Sequence, residues 1–240
     1  MEAPNPFQQA EFLLSAPLGA PLAPDEGREV AFAGRSNSGK SSALNTLTGR
    51  RGLARTSRTP GRTQQINFFG VGDGARLVDL PGYGYAKVPE AVRRQWRPLI
   101  ERYLRERHSL RGLMLTVDCR RDFGDLEAMM FDWCAGTGMP VHVLLTKSDK
   151  LKRGPAHAAL HRWEKLLRGQ PGLDAGVQLF SSLDRTGVDA ARARLAEGLD
   201  FRQKKPRSRE REGKSGANNA RLGGAGYSFP AREVDGEIQG

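Results

Sequence analysis

The chain predicts an α/β fold, a mostly parallel but mixed sheet with helices on both faces, and three observations carry that expectation. From residue 29 onward, short apolar strands alternate with longer helical segments, a pattern that calls for crossover connections and parallel pairing. LMLTV and VHVLL are continuous apolar runs, as suits strands covered on both sides. QINFFGV and ARLVDLP are separated only by a turn at Gly72-Asp73-Gly74, too short for a crossover helix, so these two strands pair antiparallel and make the sheet mixed.

The elements follow in order. Residues 1–28 are rich in Pro and Ala and form an N-terminal extension, within which EFLLSA fits one edge strand. EVAFA (Glu29 to Ala33) is a short apolar strand; a Gly-rich turn follows, and then SSALNTLTG reads as a helix. Residues 50–63 are basic, contain Pro60 and Gly61, and read as an exposed loop. After the antiparallel pair, Pro89 to His108 is a long charged helical stretch with the apolar stripe Val92, Trp96, Leu99, Ile100, Tyr103 and Leu104. LRGLMLTVD, PVHVLLTKSD and VQLFSS then alternate as strands with DLEAMMFDWCAG, AHAALHRWEKLLRG and VDAARARLAEGLDF as helices. Residues 29–200 thus form one domain. Residues 201–240 have few aliphatics and much Gly, Arg and Lys, and predict a disordered basic tail, with seven basic and two acidic residues between Phe201 and Lys214.

Composition narrows the function. Over 240 residues the formal charge is +11, which favours a polyanionic partner. No apolar run reaches the roughly 20 residues of a membrane span. The N-terminus lacks the basic start of a signal peptide and carries Glu2 and Glu11. Cys119 and Cys134 form no CxxC pair, so a disulfide framework is not expected and the cytoplasm is the expected location.

The chemistry lies in the motifs. Residues 34–41 read Gly34-Arg35-Ser36-Asn37-Ser38-Gly39-Lys40-Ser41, the pattern G-x-x-x-x-G-K-S between an apolar strand and a helix. Small residues let the backbone curl so that successive N–H groups face phosphate oxygens, Lys40 reaches the β- and γ-phosphates, and the Ser41 hydroxyl is a Mg²⁺ ligand. The pattern calls for a nucleoside triphosphate without choosing its base. Thr146-Lys147-Ser148-Asp149 (TKSD) chooses it: a carboxylate there accepts from guanine N1–H and N2–H₂, a donor pair that adenine lacks, and the Lys147 stem can pack over the purine. Phe180-Ser181-Ser182 follows the next strand and can offer backbone N–H groups to guanine O6. Asp79-Leu80-Pro81-Gly82 ends the strand ARLVDLP; Asp79 can hold Mg²⁺ through a water and the Gly82 N–H can touch the γ-phosphate. In the exposed loop, Thr59 and Thr63 both qualify as the threonine that ligates Mg²⁺ only while the γ-phosphate is present. Together these predict a Ras-like P-loop GTPase fold that binds GTP and GDP with Mg²⁺.

The motifs GRSNSGKS, TPGRTQ, DLPGYGYA, TKSD and FSS in this order, with FLLSA before the phosphate loop, resemble the EngB (YihA/YsxC) family of bacterial ribosome-biogenesis GTPases over roughly residues 10 to 200. The resemblance implies maturation of the large ribosomal subunit, contact with rRNA, and a need for the protein in normal cell division and septation. It points to Ser41 and Thr63 as the Mg²⁺ ligands. It also points to Gly34 to Ser41, Gly61, Arg62, Thr63, Gln64 and Gln65, Asp79 to Gly82, Thr146 to Asp149, and Phe180 to Ser182 as nucleotide contacts. Lys40, Thr63 and Gly82 are the candidate charge stabilisers and positioners.

Ras-type enzymes place a Gln after the DxxG glycine to orient water; here that position is Tyr83, so slow intrinsic hydrolysis is expected. A group supplied by the ribosome, or a K⁺ ion near Asn37, are candidates to complete the site, and Arg58 and Arg62 are further ones. His157 and His161, spaced i, i+4, have no visible third metal ligand and read as a solvated helix face. The basic tail reads as an RNA-contacting arm. A monomer is expected, and no membrane partner.

Overall fold

The computed structural model describes residues 5–17, 20–54, 65–82, 98 and 100–200. Seven strands form one sheet: β1 (Glu11–Pro17), β2 (Arg28–Gly34), β3 (Gln65–Gly72), β4 (Ala75–Asp79), β5 (Leu110–Asp118), β6 (Val141–Thr146) and β7 (Ala175–Leu179), in the order β1-β3-β4-β2-β5-β6-β7. β2 runs parallel to β4 and β5, and β5–β6–β7 continue in parallel. β1–β3 and β3–β4 are antiparallel, so the expected mixed sheet and the edge strand EFLLSA are both present. The β3–β4 link is a two-residue turn in which Asp73 and Gly74 both have positive φ (50° and 70°), a backbone that Asp-Gly readily adopts and whose twist matches that of the flanking strands.

Four helices are α1 (Lys40–Thr48), α2 (Asp125–Thr137), α3 (Arg153–Arg168) and α4 (Val188–Gly198), and residues 100–106 are also helical. α1 and α4 cover one face around Leu44, Leu47, Phe32, Leu77, Leu144 and Leu195. Residues 100–106, α2 and α3 cover the other, around Ile100, Leu104, Phe131, Leu115, Val143 and Trp163. β6 is buried at every residue, which is why VHVLL is apolar without alternation. Both cysteines are free and buried, and burial pushes the Cys134 thiol up to about 12.

The N-terminal segment is woven into this core. Phe7, Ala10, Ala16 and Ala23 are buried. The Asn5 side-chain amide donates to the carbonyls of Leu47 (3.1 Å) and Thr48 (3.0 Å), satisfying acceptors that the end of α1 leaves open. At the start of β2, buried Glu29 accepts from Arg76 (2.7 Å), Tyr103 (2.7 Å) and Arg107 (2.9 and 2.7 Å), and Arg107 also donates to the Ala23 carbonyl (2.8 Å). A carboxylate this deep is tolerable because its oxygens have charged and hydroxyl donors. Residues 1–4, half of the 89–108 stretch (89–97 and 99) and the 201–240 tail lie outside the described residues.

Candidate functional site

The functional motifs fall at the carboxyl ends of β2, β4, β5, β6 and β7, on one edge of the sheet. Ligands bind along that edge in open α/β sheets, at the point where successive connections leave on opposite faces. β2 is that point here: α1 leaves it on one face, and the helix at 100–106, which precedes β5, lies on the other.

The phosphate loop is built tightly. Asn37 (φ 64°) and Gly39 (φ 92°) turn the chain through the left-handed region, and Gly39 caps the N-terminus of α1. A Cβ on Gly34 would lie 2.2 Å from Thr116 Oγ1 and 2.6 Å from the Thr116 carbonyl oxygen, so only glycine fits between β2 and β5. Thr116 donates to the Ala33 carbonyl (3.1 Å) and accepts from the Ser38 hydroxyl (2.7 Å), and the Thr146 hydroxyl donates to the Ser38 carbonyl while lying 3.1 Å from that of Val117. The curl of the loop is thereby fixed from β5 and β6.

Lys40 and Ser41 open α1. The Lys40 ammonium pairs with the carboxylate of Asp79, which is buried at the end of β4. These two groups, one cationic and one anionic, meet beside the first turn of α1, whose free N–H groups favour an anion. Gly82 packs on the phosphate loop: a Cβ there would lie 3.0 Å from Ser36 Oγ and 3.3 Å from Ser36 Cα. Leu80 is held by its N–H donating to the Phe32 carbonyl (3.0 Å), and Pro81 is buried.

On the other side, Lys147 has positive φ (59°), and its ammonium donates to the Asn37 carbonyl (2.7 Å) and lies 3.0 Å from Asp118 Oδ2. Its stem therefore bridges the TKSD loop and the phosphate loop. Asp118 also receives Arg120; burial raises its pKa, but the bonds from Arg120 and Lys147 outweigh that and hold its carboxyl well below the usual range. Asp149 accepts from the Ser181 hydroxyl (2.7 Å); desolvation raises its pKa, and the bonds from Ser181 and Lys150 bring it down overall, so a carboxylate is presented. Phe180 is fully buried and exchanges bonds with β6 and its loop: its N–H donates to Leu145 (2.9 Å) and its carbonyl accepts from Ser148 (3.2 Å). The Ser181 N–H is committed to the Thr186 carbonyl (3.0 Å), so Ser181 serves the base loop through its hydroxyl, and the neighbouring exposed Ser182 is the one whose amide has no partner among the described residues.

The structure thus brings together Gly34 to Ser41, Asp79 to Gly82, Thr146 to Asp149 and Phe180 to Ser182. Gln65 opens β3 and pairs with Pro17 of β1. Gly61, Arg62, Thr63, Gln64, Tyr83, Arg58 and Thr59 lie outside the described residues. Three contributors escaped the sequence reading. Thr116 and Asp118 lie on β5, where their only signal is polarity near the end of an apolar strand, and Glu127 contacts Arg35 across 92 positions. Among the described residues no group of three His, Cys, Asp or Glu is placed to hold a metal, and His157 and His161 are both exposed on α3.

A mixed, mostly parallel sheet with a G-x-x-x-x-G-K-S loop at its carboxyl edge, clasped by a TKSD loop whose Asp149 is held as a carboxylate, defines a P-loop GTPase. Residues 29–147 match the family model described as 50S ribosome-binding GTPase. The probable GTP-binding protein EngB of Azoarcus sp. (strain BH72) is 58% identical over 183 residues, covering 76% of this chain and 88% of that protein. That of Nitrosococcus oceani is 54% identical over 193 residues, covering 80% and 96%. The chain belongs to the EngB family of GTP-binding proteins. A crystal structure of a probable GTP-binding protein engB superposes with TM-score 0.58 at 20% identity over 72% of this chain and all of that one, and bacterial selenocysteine-specific elongation factor EF-Sec with TM-score 0.53 at 21% identity over 74% of this chain and 29% of its own; both show the shared fold.

Proposed function

We propose that this chain is a Mg²⁺-dependent GTPase switch of the cytoplasm that docks on the large ribosomal subunit or its precursor during assembly and uses GTP hydrolysis to leave it. Through that role it supports normal cell division and septation. The observation that carries the reading is the clasp of Lys147 on Asn37, which makes the base loop and the phosphate loop one unit, so a guanine recognised by Asp149 delivers its phosphates to Lys40. The match to a family described as 50S ribosome-binding and the +11 charge support an RNA-rich partner.

In this reading Lys40 exchanges Asp79 for the β- and γ-phosphate oxygens, the N–H groups of residues 36–41 cradle them, and the Gly82 N–H reports the γ-phosphate. The oxygen donors of Ser41, next to Lys40 in the first turn of α1, and of Asp79, which pairs with Lys40, suit a hard cation, and Thr63 is the third residue assigned to it. Mg²⁺, when bound, supplies charge neutralisation at the phosphates. Tyr83 supplies no amide to orient water, so intrinsic turnover is slow and the docked ribosome, or K⁺ near Asn37, completes the site.

The same Tyr83 favours a second reading, a GTP-dependent binding module in which hydrolysis is incidental. The experiment measures binding of purified large subunits with the protein in GDP or a non-hydrolysable GTP analogue, and turnover with and without subunits. Tighter binding in the GTP-like state together with faster turnover supports the switch. Gated binding with unchanged turnover supports the module, and ungated, salt-sensitive binding refutes the ribosomal role.

A further inference from the structure

We infer that the outer face of α3 is a phosphate-contacting surface for RNA, an inference that rests on the ribosomal partner proposed above. α3 buries Ala156, Ala159, Trp163 and Leu167 against the sheet. Its opposite side carries Arg153, His157, His161, Arg162, Lys165 and Arg168, all exposed. The helix holds a single acid, Glu164, which pairs with His161 (3.0 Å).

An ordinary solvated helix face balances its charges, because opposite charges at i, i+3 or i, i+4 stabilise it and like charges cost a similar amount. α4 and the helix at 100–106 do balance theirs. Arg192 pairs with Asp189 (3.4 Å) and Arg194 with Glu197 (2.7 Å) on α4, and Arg102 pairs with Glu106 (2.8 Å) and Arg105 with Glu101 (3.3 Å) at 100–106. α2 carries Asp125, Glu127 and Asp132 and no Lys or Arg. On α3, by contrast, Arg153, Arg162, Lys165 and Arg168 have no acidic partner among the described residues, and Arg162, Lys165 and Arg168 follow one another at like-charge spacing.

A polyanion relieves that repulsion and gains entropy by releasing its condensed counterions. From Arg153 to Arg168 the helix extends about 22 Å, long enough to meet several phosphates along one strand. A lipid surface fits less well, since an interfacial helix must offer its apolar face to the bilayer, and here that face is buried on the sheet. Among the described residues the exposed large apolar side chains are Phe12, Leu13 and Leu183, none of them on α3.

The test compares the full chain with the variant R153Q/R162Q/K165Q/R168Q and with the charge-matched control R50Q/R51Q/R102Q/R105Q. GDP affinity and circular dichroism verify that both are folded. Binding to a roughly 20-bp RNA duplex and to purified large subunits is followed as KCl rises from about 50 to about 200 mM. The α3 variant should bind the duplex at least about tenfold more weakly, and its plot of log K against log salt should be shallower by about 3, because four phosphate contacts each contribute about 0.7–0.9. The control should change by less than about twofold.

Equal loss in both variants overturns the inference in favour of net charge, and no loss in the α3 variant overturns it outright. Loss on phosphatidylserine vesicles without loss on RNA also overturns it. If the wild type binds subunits in a GTP-gated way and the α3 variant binds equally well, the surface fails while the ribosomal role stands. If subunit binding is ungated but the duplex effect is present, the role fails while the surface stands.

Discussion

The guanidinium of Arg35 grips the carboxylate of Glu127 through two hydrogen bonds of 2.7 Å each, tying the second residue of the phosphate loop to the first turn of α2. The Glu127 side chain is 1% exposed and that of Arg35 27%. The asymmetry sets the first prediction. Removing Arg35 strands a buried carboxylate, whereas removing Glu127 leaves a cation that can turn toward water. Arg35→Met should therefore destabilise by about 3–5 kcal/mol, Glu127→Gln by less, and Glu127→Leu combined with Arg35→Met should recover much of the loss. Urea unfolding of the three variants checks this, and equal costs for the two single changes would contradict it.

Ser181 acts on the base site through Asp149. Losing a hydrogen bond to a charged acceptor costs about 1.5–3 kcal/mol, so Ser181→Ala should raise the Kd for GDP by about 10- to 100-fold with the phosphate loop intact. Asp149→Asn places a donor where guanine also donates, and should abolish the preference for GDP over ADP. Fluorescent-nucleotide titration reads both.

Gly34 has no room for a methyl group. Its would-be Cβ meets backbone as well as side chain of Thr116, so Gly34→Ala must part β2 from β5 or distort the loop. The expected outcome is loss of nucleotide binding and a thermal midpoint lowered by several degrees, equivalent to about 1–3 kcal/mol of overpacking. Scanning calorimetry with and without GDP separates the two effects.

His142 predicts a pH dependence remote from the site. Burial, followed by the charge of Arg194, pushes its pKa down from 6.5 to about 4, against the opposing bond to Gln178. Gln178 donates to the Gly187 carbonyl (2.7 Å), which orients its oxygen toward His142 Nε2–H (2.9 Å), while Nδ1 has no partner among the described residues. The neutral ring is the folded form. Between pH 6.5 and 4 the unfolded chain binds the proton and the folded chain does not, so stability is full above pH 6.5 and is lost as pH falls toward 4. The loss from this group is on the order of 3 kcal/mol. A His142→Gln variant should show a flatter pH profile in urea unfolding over that range.

Local pattern carried much of the fold. Continuous apolar runs marked β5 and β6, the Asp-Gly turn marked the antiparallel pair, and GRSNSGKS between a strand and a helix marked the phosphate loop, because each signal depends on neighbours in the chain. The helix α3 begins at Arg153, ahead of the expected AHAALH segment, since Pro155 fits a first turn that needs no N–H there. Residues 5–10 gave no sign of packing on α1: Phe7 is buried in a cluster formed by α1, α4 and the sheet, which exists only once those elements come together in the fold.

The sequence by itself determined the class of fold, the nucleotide chemistry and the family, because those reside in short motifs whose spacing along the chain is their geometry. Only the tertiary structure decided that Thr116 and Thr146 shape the phosphate loop, that Lys147 clasps Asn37, and that Arg35 anchors to Glu127. It also decided that Ser181 contributes its hydroxyl, its amide being taken by Thr186. Apart from the local Ser181–Thr186 bond, these contacts join residues far apart in the chain, and no local pattern encodes them; strand order and register bring them within hydrogen-bond reach.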